Sequence, residues 1–153
     1  MYYEHSQWGP LTLPVIGFLL LVLALTAALG DGHAAAIAIS AAGMAVGALV
    51  VVAFSRLTVT VDATQVVAAF TWGWPRRVIP LAEIAAVRPV RNSWWYGLGI
   101  RLAPNGTWIY NVWGLDAVEL ELRTGKRFRI GTDDRDGLQA GLESVIGSRP
   151  ADP

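Results

Sequence analysis

Two long uncharged stretches dominate the first third of the chain. Residues 11–29 contain nineteen positions without a charged side chain, and residues 34–54 contain twenty-one. Because about 20 apolar residues in a helix cross the hydrocarbon core of a bilayer, each stretch is long enough to span a membrane. Only residues 30–33 separate them. The pattern predicts a transmembrane hairpin over residues 11–54, preceded by an N-terminal tail at residues 1–10.

The distribution of basic residues predicts how this hairpin is oriented. All twelve Lys and Arg residues lie at or beyond Arg56, and the connection at residues 30–33 has none. Since basic residues favour the cytoplasmic side, we expect a multi-pass protein of the inner (plasma) membrane with both termini in the cytoplasm. A secretory signal peptide is the alternative for the first stretch, but residues 1–10 lack the positive charge it needs.

The second span contains Gly43 and Gly47, a small-residue pattern that allows two helices to approach closely. We expect these glycines to pack against the first span of the same hairpin. A homodimer through Gly43 and Gly47 is the alternative interpretation.

Beyond Ser55 the apolar residues occur at every second position, and no longer form the continuous runs of the two spans. Leu57, Val59 and Val61 alternate with threonines, which indicates a half-buried strand. Turn signals recur at residues 62–64, 73–75 and 105–106. The pattern predicts a domain of about seven strands over residues 56–146, with a flexible tail at residues 147–153.

The strand register of the last predicted hairpin, around residues 123–125, follows from its charges. A three-residue loop at residues 123–125, with Gly125 in the left-handed conformation, brings opposite charges together on one face and apolar side chains together on the other. The expected pairs are Glu121–Arg127, Leu120–Phe128, Glu119–Arg129 and Val118–Ile130. We interpret the charged face as solvated.

An amphipathic helix of some thirteen residues is predicted after this hairpin. Thr132 or Asp133 can cap its N-terminus. Its apolar stripe consists of Leu138, Leu142, Val145 and Ile146.

Composition excludes several kinds of chemistry. The chain has no cysteine, which rules out disulfides, Cys-ligated zinc and Cys nucleophiles. From Arg56 onward there are twelve basic and ten acidic residues, too small a surplus to favour nucleic acid. His5 and His33 are the only histidines, and the topology places them on opposite sides of the membrane. We therefore predict no catalytic residue, metal site or cofactor.

Two aromatic clusters are the candidate contact residues. Trp72 and Trp74 precede Arg76 and Arg77, and Trp94 and Trp95 stand side by side. Either the tryptophans face the core beside a polar turn, or the cluster lies on the membrane surface, where Trp and Arg are favoured. The linker supports the second reading, because little more than Ser55 separates the span from the first strand. We expect at least one of Trp94 and Trp95 to pack into the strand-rich domain or its rim, which leaves the other for contact with lipid or a partner.

Three stretches of residues 56–146 resemble the bacterial pleckstrin-homology-like (PH-like) domains often found behind a transmembrane hairpin. They are LTVTVD, FTWGWPRRVIPLAEI with Pro80-Leu81 before a short acidic turn, and GLGIRL followed by YNVWGLDAVELELRTGKRFRIGTDD. The resemblance implies an α+β fold, in which a split seven-stranded barrel is plugged by the C-terminal amphipathic helix. It implies a docking surface and no common catalytic residues. Relatives that bind phosphoinositides use basic residues in the first strand–strand loop; residues 62–64 have none, so that recognition is not expected.

The function expected from these features is non-enzymatic. The hairpin would anchor a docking or scaffolding module at the cytoplasmic face, where it binds a protein partner or the lipid surface. The alternative is a small membrane-bound enzyme or an accessory subunit of a membrane transport complex. Its support is limited to the polar residues Asn92, Asn111 and Asp116 near the aromatic block.

Overall fold

The computed structural model describes residues 3–29 and 33–147. Two helices, α1 (Thr12–Leu29) and α2 (Ala34–Ala53), pack against each other near the N-terminus. Both are long and apolar enough to cross a membrane, and none of their residues is buried. The turn expected between them lies largely outside the described residues, which include only His33 of it. The local hydrophobic runs therefore predicted both helices to within a residue or two at each end.

The strands form two sheets. The first has the order β1-β2-β3-β4 and is antiparallel throughout, with β1 (Tyr3–Trp8), β2 (Arg56–Val61), β3 (Gln65–Phe70) and β4 (Arg76–Pro80). The second has the order β5-β8-β9-β7-β6, with β5 (Ile84–Arg91), β6 (Gly99–Leu102), β7 (Trp108–Asn111), β8 (Asp116–Leu122) and β9 (Arg127–Gly131). The pair β7–β9 is parallel and the other pairs are antiparallel.

The fold is mixed α+β, but the described strands number nine rather than seven and form no closed barrel. Two features account for the difference. The segment from Arg76 to Arg91 is divided into β4 and β5 by a 3-10 turn at Leu81–Glu83, in which Leu81 is buried. The other additional strand, β1, lies before the hairpin.

β1 is the main departure from the predicted organisation. Residues 3–8 were expected to belong to a tail, yet they pair with β2 along their full length, from Tyr3 opposite Val61 to Trp8 opposite Arg56. Where β1 ends, the Gly9 amide donates a hydrogen bond of 2.7 Å to the Ser55 carbonyl. The chain therefore enters and leaves the two apolar helices from adjacent strands of one sheet.

The last hairpin has the predicted register. Glu121 pairs with Arg127 and Glu119 with Arg129, and Gly125 has a φ of 79° in the loop. Its charged face is not simply solvated, however. Glu119 is only 5% exposed, because it lies between neighbouring strands and is held by Arg129 at 2.6 Å.

The C-terminal helix α3 (Arg135–Gly147) buries Leu138 and Leu142, with Val145 and Ile146 packed at the edge of the same core. Its cap is Asp134 rather than Thr132 or Asp133, since Asp134 Oδ1 accepts a hydrogen bond from the Gly137 amide at 3.1 Å. The core between the sheets and α3 consists mainly of aliphatic side chains with two buried phenylalanines, and includes Leu57, Val61, Phe70, Leu120, Phe128 and Ile130.

Candidate membrane-surface site

Every tryptophan of the chain is exposed. Seven are present, all among the described residues, and their exposed fractions run from 43% at Trp113 to 75% at Trp95. Tryptophan is usually among the more buried residues of a soluble domain. It is enriched at membrane–water interfaces, where its apolar ring and its N–H group can both be accommodated. The set consists of Trp8, Trp72, Trp74, Trp94, Trp95, Trp108 and Trp113.

Trp8 and Trp72 lie at the base of the helical hairpin, where the chain enters and leaves the helices. Trp8 comes four residues before α1 begins and packs 5.4 Å from the Arg56 guanidinium. Trp72 belongs to a 3-10 turn, Thr71–Gly73, which contacts the end of α2. In that contact the Ser55 and Thr71 hydroxyls are 3.3 Å apart. The predicted cluster at Trp72 and Trp74 is therefore on the helix side of the domain.

Trp94 and Trp95 pack on each other and not into the domain. Their rings stack with centroids 3.7 Å apart, and 66% and 75% of the two residues remain exposed. Neither ring enters the core, so the expected packing of one of them into the domain is wrong, although Trp94 borders a surface cavity at the rim together with Leu11 and Trp113. They form a 3-10 turn at Trp94–Tyr96, and the chain turns sharply after it at Gly97 and Gly99, both with positive φ. This glycine corner turns the aromatic pair outward.

The two candidate arginines have different surroundings. Both are exposed on β4, an edge strand of the first sheet. Arg77 pairs with the buried Ala68 and lines a cavity of about 190 Å³ with Trp108, Tyr110 and Phe128. Burial raises the pKa of Tyr110, and the positive charge of Arg77 partly opposes that shift. Arg77 thus lies at the gap between the sheets, whereas Arg76 directly follows the tryptophan turn.

An aromatic chain connects the hairpin to the core of the domain. Phe54, at the end of α2, meets Phe70 edge-on with ring centroids 4.9 Å apart. Phe70 contacts Tyr110 at 5.3 Å, and Tyr110 contacts Phe128 at 5.0 Å. Since aromatic pairs at these distances contribute beyond their buried area, the end of α2 is packed into the domain instead of hanging from a flexible linker.

An apolar groove lies between the hairpin base and β6, and sequence reasoning missed it. Its cavity of about 440 Å³ is lined by the start of α1, the last turn of α2 and the segment from Leu98 to Arg101. A second cavity of about 360 Å³ shares Leu11 and Leu98 with the first and is also lined by Trp94 and Trp113. The walls come from separate parts of the chain, so no local motif could have indicated the groove.

Side chains of β1 form hydrogen bonds to the end of β9 and to the turn that precedes α3. Three alternate residues take part: Tyr3 donates to Asp134 Oδ2 at 3.1 Å, His5 lies 2.5 Å from Asp133 Oδ1, and Gln7 donates to the Gly131 carbonyl at 2.7 Å. Burial, together with Asp134, raises the pKa of Tyr3. His5 therefore belongs to the folded domain and not to a tail.

The polar residues that suggested an enzyme do not converge on one site. Asn92 and Asn111 are buried; the Asn111 amide donates to the Gly114 carbonyl at 3.1 Å, and Asn92 faces Arg129 at 3.5 Å. Asp116 pairs with Arg135 at 3.6 Å. Within the described ranges, no group of three or more His, Cys, Asp or Glu residues is placed to hold a metal ion.

The turn at residues 62–64 is shaped by its acidic residue. Asp62 Oδ1 accepts hydrogen bonds from the Thr64 hydroxyl and from the amides of Thr64 and Gln65. The bond from the Thr64 hydroxyl lowers the pKa of Asp62 most, and the amides add to the effect. A carboxylate held in this way makes the loop unfavourable for a phosphate headgroup.

The glycines of the small-residue pattern face different surroundings. A Cβ on Gly47 would lie 3.8 Å from Leu19 of α1, whereas a Cβ on Gly43 would meet nothing within 4 Å. Gly47 therefore lies at ordinary contact distance from the first span, whereas Gly43 does not pack against it. The homodimer through Gly43 and Gly47 stays a prediction.

Trp72 adopts a backbone conformation that is rare for a residue with a side chain. Its φ of 64° and ψ of 12° lie in the left-handed region, which costs a non-glycine residue roughly 1–2 kcal/mol. Strain of this kind persists where the surrounding structure enforces it, often at functional positions.

Replacing Trp72 by glycine is expected to leave the free energy of unfolding unchanged or to raise it by up to about 1 kcal/mol. Relief of the left-handed strain outweighs the added entropy of the unfolded chain. Trp74→Gly is the matched control: Trp74 is as exposed but extended, with a φ of −147°, so the same change should cost about 0.5–1 kcal/mol. Denaturant unfolding of the full chain in detergent tests the pair, and a Trp72→Gly variant less stable than Trp74→Gly would contradict the expectation.

No protein-family model matches the chain, and no curated protein matches it.

Proposed function

We propose that this chain is a non-enzymatic docking module of the PH-like type, anchored at the cytoplasmic face of the inner (plasma) membrane. The observation that carries the proposal is the exposure of all seven tryptophans, together with the position of Trp8, Trp72 and Trp94 beside the hairpin base. In this arrangement the tryptophan side of the domain rests on the bilayer, and the remaining surface is presented to a protein partner.

The surfaces of α1 and α2 support the membrane part of the proposal. Neither helix contributes a buried residue, and large side chains such as Leu13, Phe18 and Ile39 are more than 60% exposed. Apolar surface of this extent is rarely left in contact with water, and usually marks a membrane or a partner. A bilayer would cover both helices along their length. The basic residues after α2 then favour a cytoplasmic domain.

The double attachment of the domain supports a fixed orientation on the membrane. β1 and β2 are neighbours in one sheet, and they connect directly to α1 and α2 respectively. A domain held at both ends of the hairpin cannot turn away from the bilayer as freely as one on a single linker. The same tryptophan surface is therefore kept at the headgroup layer.

The PH-like assignment is supported by the architecture of the soluble part. Two largely antiparallel sheets enclose one core, and α3 buries Leu138 and Leu142 against it. A docking role suits this arrangement better than the alternative of a membrane enzyme or transport subunit, because Asn92, Asn111 and Asp116 are used in separate structural contacts.

Quenching by lipids brominated near the headgroup is expected to distinguish the tryptophans by position. Full-length variants that keep a single tryptophan, with the others changed to Phe, would be reconstituted into vesicles. We expect strong quenching of Trp72, Trp74, Trp94 or Trp95, since they lie in or next to two 3-10 turns. The first of these turns contacts α2, and the second borders a cavity that Leu11 also lines.

Trp108 is the internal control for this experiment. It is half exposed, but it lies at the end of β7 that is farther from the hairpin, where it pairs with Leu102. The end of β7 near the hairpin is Asn111, three residues away, which pairs with Gly99 beside Phe54. That separation corresponds to about 10 Å along a strand, so Trp108 should be quenched weakly. Equal quenching of Trp108 and the four others, or quenching of none, would refute the proposed orientation.

A further inference from the structure

The apolar groove at the hairpin base has the position and chemistry of a lipid site. Its walls include Leu11 and Val15 of the first helical segment, Val51 and Phe54 at the end of the second, and Ile100 and Val112 of the domain. The volume of about 440 Å³ falls within the range of sites that hold small ligands. The groove therefore joins the apolar helix surfaces to the domain.

We propose that this groove binds one anionic phospholipid, with an acyl chain against the apolar walls and the headgroup phosphate at Arg101. The inference rests on the proposed function in one respect, namely that α1 and α2 span a bilayer. It adds a specific site and a selectivity that the membrane anchor by itself does not require.

The position of the groove determines the class of occupant. Its lining comes from the start of α1 and the last turn of α2, so in a bilayer it opens at the depth where headgroups meet acyl chains. A polypeptide in the same space would bring backbone N–H and C=O groups that mostly apolar walls cannot satisfy. A phospholipid brings an apolar chain and a single polar end, which matches the walls and the rim.

Arg101 supplies the preference for negative charge. Among the described residues that line the larger cavity, it is the only one with a charge. Its Nε donates to the Leu98 carbonyl at 3.2 Å, which holds the side chain beside the glycine corner. No ion pair of Arg101 occurs within the described part of the chain. Its terminal amino groups are thus free to donate to a phosphate in the bidentate geometry that guanidinium favours. Zwitterionic phospholipids carry the same phosphate, but their own cation cancels its charge, so the net negative charge of an anionic headgroup is what Arg101 favours.

Other arginines of the domain are already engaged with carboxylates. Arg88, Arg127, Arg129 and Arg135 each have an acidic partner within 4 Å. The exposed Arg91 also lacks an ion pair in the described residues, but it lies outside the groove. This difference makes Arg91 a matched control, equal to Arg101 in charge and exposure and different in position.

The adjacent cavity provides room for the second chain of the same lipid. It is bounded by Trp94, Trp113 and Leu115, and it meets the first cavity at Leu11 and Leu98. Trp94 then serves as one wall of the lipid site, and Trp95, stacked on its ring, stays exposed for contact with the membrane surface.

Native mass spectrometry of the full-length protein can test the site. The protein would be released from detergent micelles that contain phosphatidylglycerol or phosphatidylcholine, and the lipid retained per chain would be counted. We expect one phosphatidylglycerol to be retained, with a preference over phosphatidylcholine of roughly five- to tenfold, as expected for one arginine near an anionic headgroup.

Two pairs of variants separate charge recognition from chain binding. Arg101→Gln should abolish the preference for phosphatidylglycerol, and Arg91→Gln should keep it. Val51→Trp should fill the groove and lower retention of both lipids, whereas Val46→Trp, exposed on α2 outside the groove, should not. Thermal unfolding of each variant verifies that the fold is intact.

Several outcomes would overturn the inference. These are equal retention of the two lipids by the wild-type chain, equal behaviour of Arg101→Gln and Arg91→Gln, or full retention by a folded Val51→Trp variant. If lipid retention fails these tests while the tryptophans are quenched as expected, the lipid site alone is refuted. Specific lipid retention without tryptophan quenching would refute the proposed orientation and leave the site in place.

Discussion

Deleting residues 1–9 from the full chain is expected to lower the free energy of unfolding by at least about 4 kcal/mol, a large share of the 5–15 kcal/mol that domains typically have. The deletion removes the ladder between β1 and β2, the buried Gln7 and the packing of Tyr3 against the core. It also exposes β2 as a new sheet edge, which favours aggregation. Thermal unfolding in detergent should show the loss directly.

Point variants of β1 provide the control for this deletion. Tyr3 faces the core and Asp134, whereas Glu4 is exposed on the opposite face of the strand. Tyr3→Ala should cost about 2 kcal/mol through lost burial and a lost hydrogen bond, and Glu4→Ala should stay within about 0.5 kcal/mol of the parent. For the same reason, a fragment of residues 56–153 should aggregate. A fragment that folds as a stable soluble domain would show that β1 is dispensable.

Replacing Arg129 by Met is expected to cost about 3 kcal/mol, because it leaves the buried Glu119 carboxylate without its closest partner. Arg129 Nε lies 2.6 Å from Glu119 Oε2, while Arg127 is 3.9 Å from the other oxygen. Methionine retains the apolar stem, so the loss reports on the charge and its hydrogen bond. Denaturant unfolding of the full chain is the measurement.

Arg88→Met is the matched control for Arg129→Met. Arg88 pairs with Glu121 on the same sheet, but its side chain is 61% exposed, so its loss should cost less than about 1 kcal/mol. Adding Glu119→Gln to Arg129→Met should recover part of the stability by removing the unpaired charge. Equal losses in the two single variants would mean that burial of Glu119 has no energetic consequence.

Local patterns were sufficient for the elements whose residues lie close together in sequence. The uncharged runs predicted α1 and α2, the charge pattern predicted the register of β8 and β9, and the apolar stripe predicted α3. For β8, β9 and α3 the periodicity that defines the element also defines the face it buries. For α1 and α2 the length of the uncharged run is sufficient, so in every case the information lies within about twenty residues.

β1 was missed because its signal lies elsewhere in the chain. Its sequence, YEHSQW, has no alternation of apolar residues, and as an edge strand its stability comes from pairing with β2 more than forty residues later. The buried Glu119 is a similar case. The pairing with Arg129 was predicted from the sequence, but its burial depends on how the neighbouring strands and their side chains pack around it.

The sequence by itself determined an apolar hairpin followed by a strand-rich domain with a C-terminal helix, because hydrophobic period and charge act over short separations. The tertiary structure decided that all seven tryptophans are exposed, with Trp8, Trp72 and Trp94 beside the hairpin base, and that α1, α2 and β6 enclose a groove beside Arg101. Aromatic residues suit a core and a membrane surface equally well by composition. Only the packing of distant segments decides which of these environments each ring occupies.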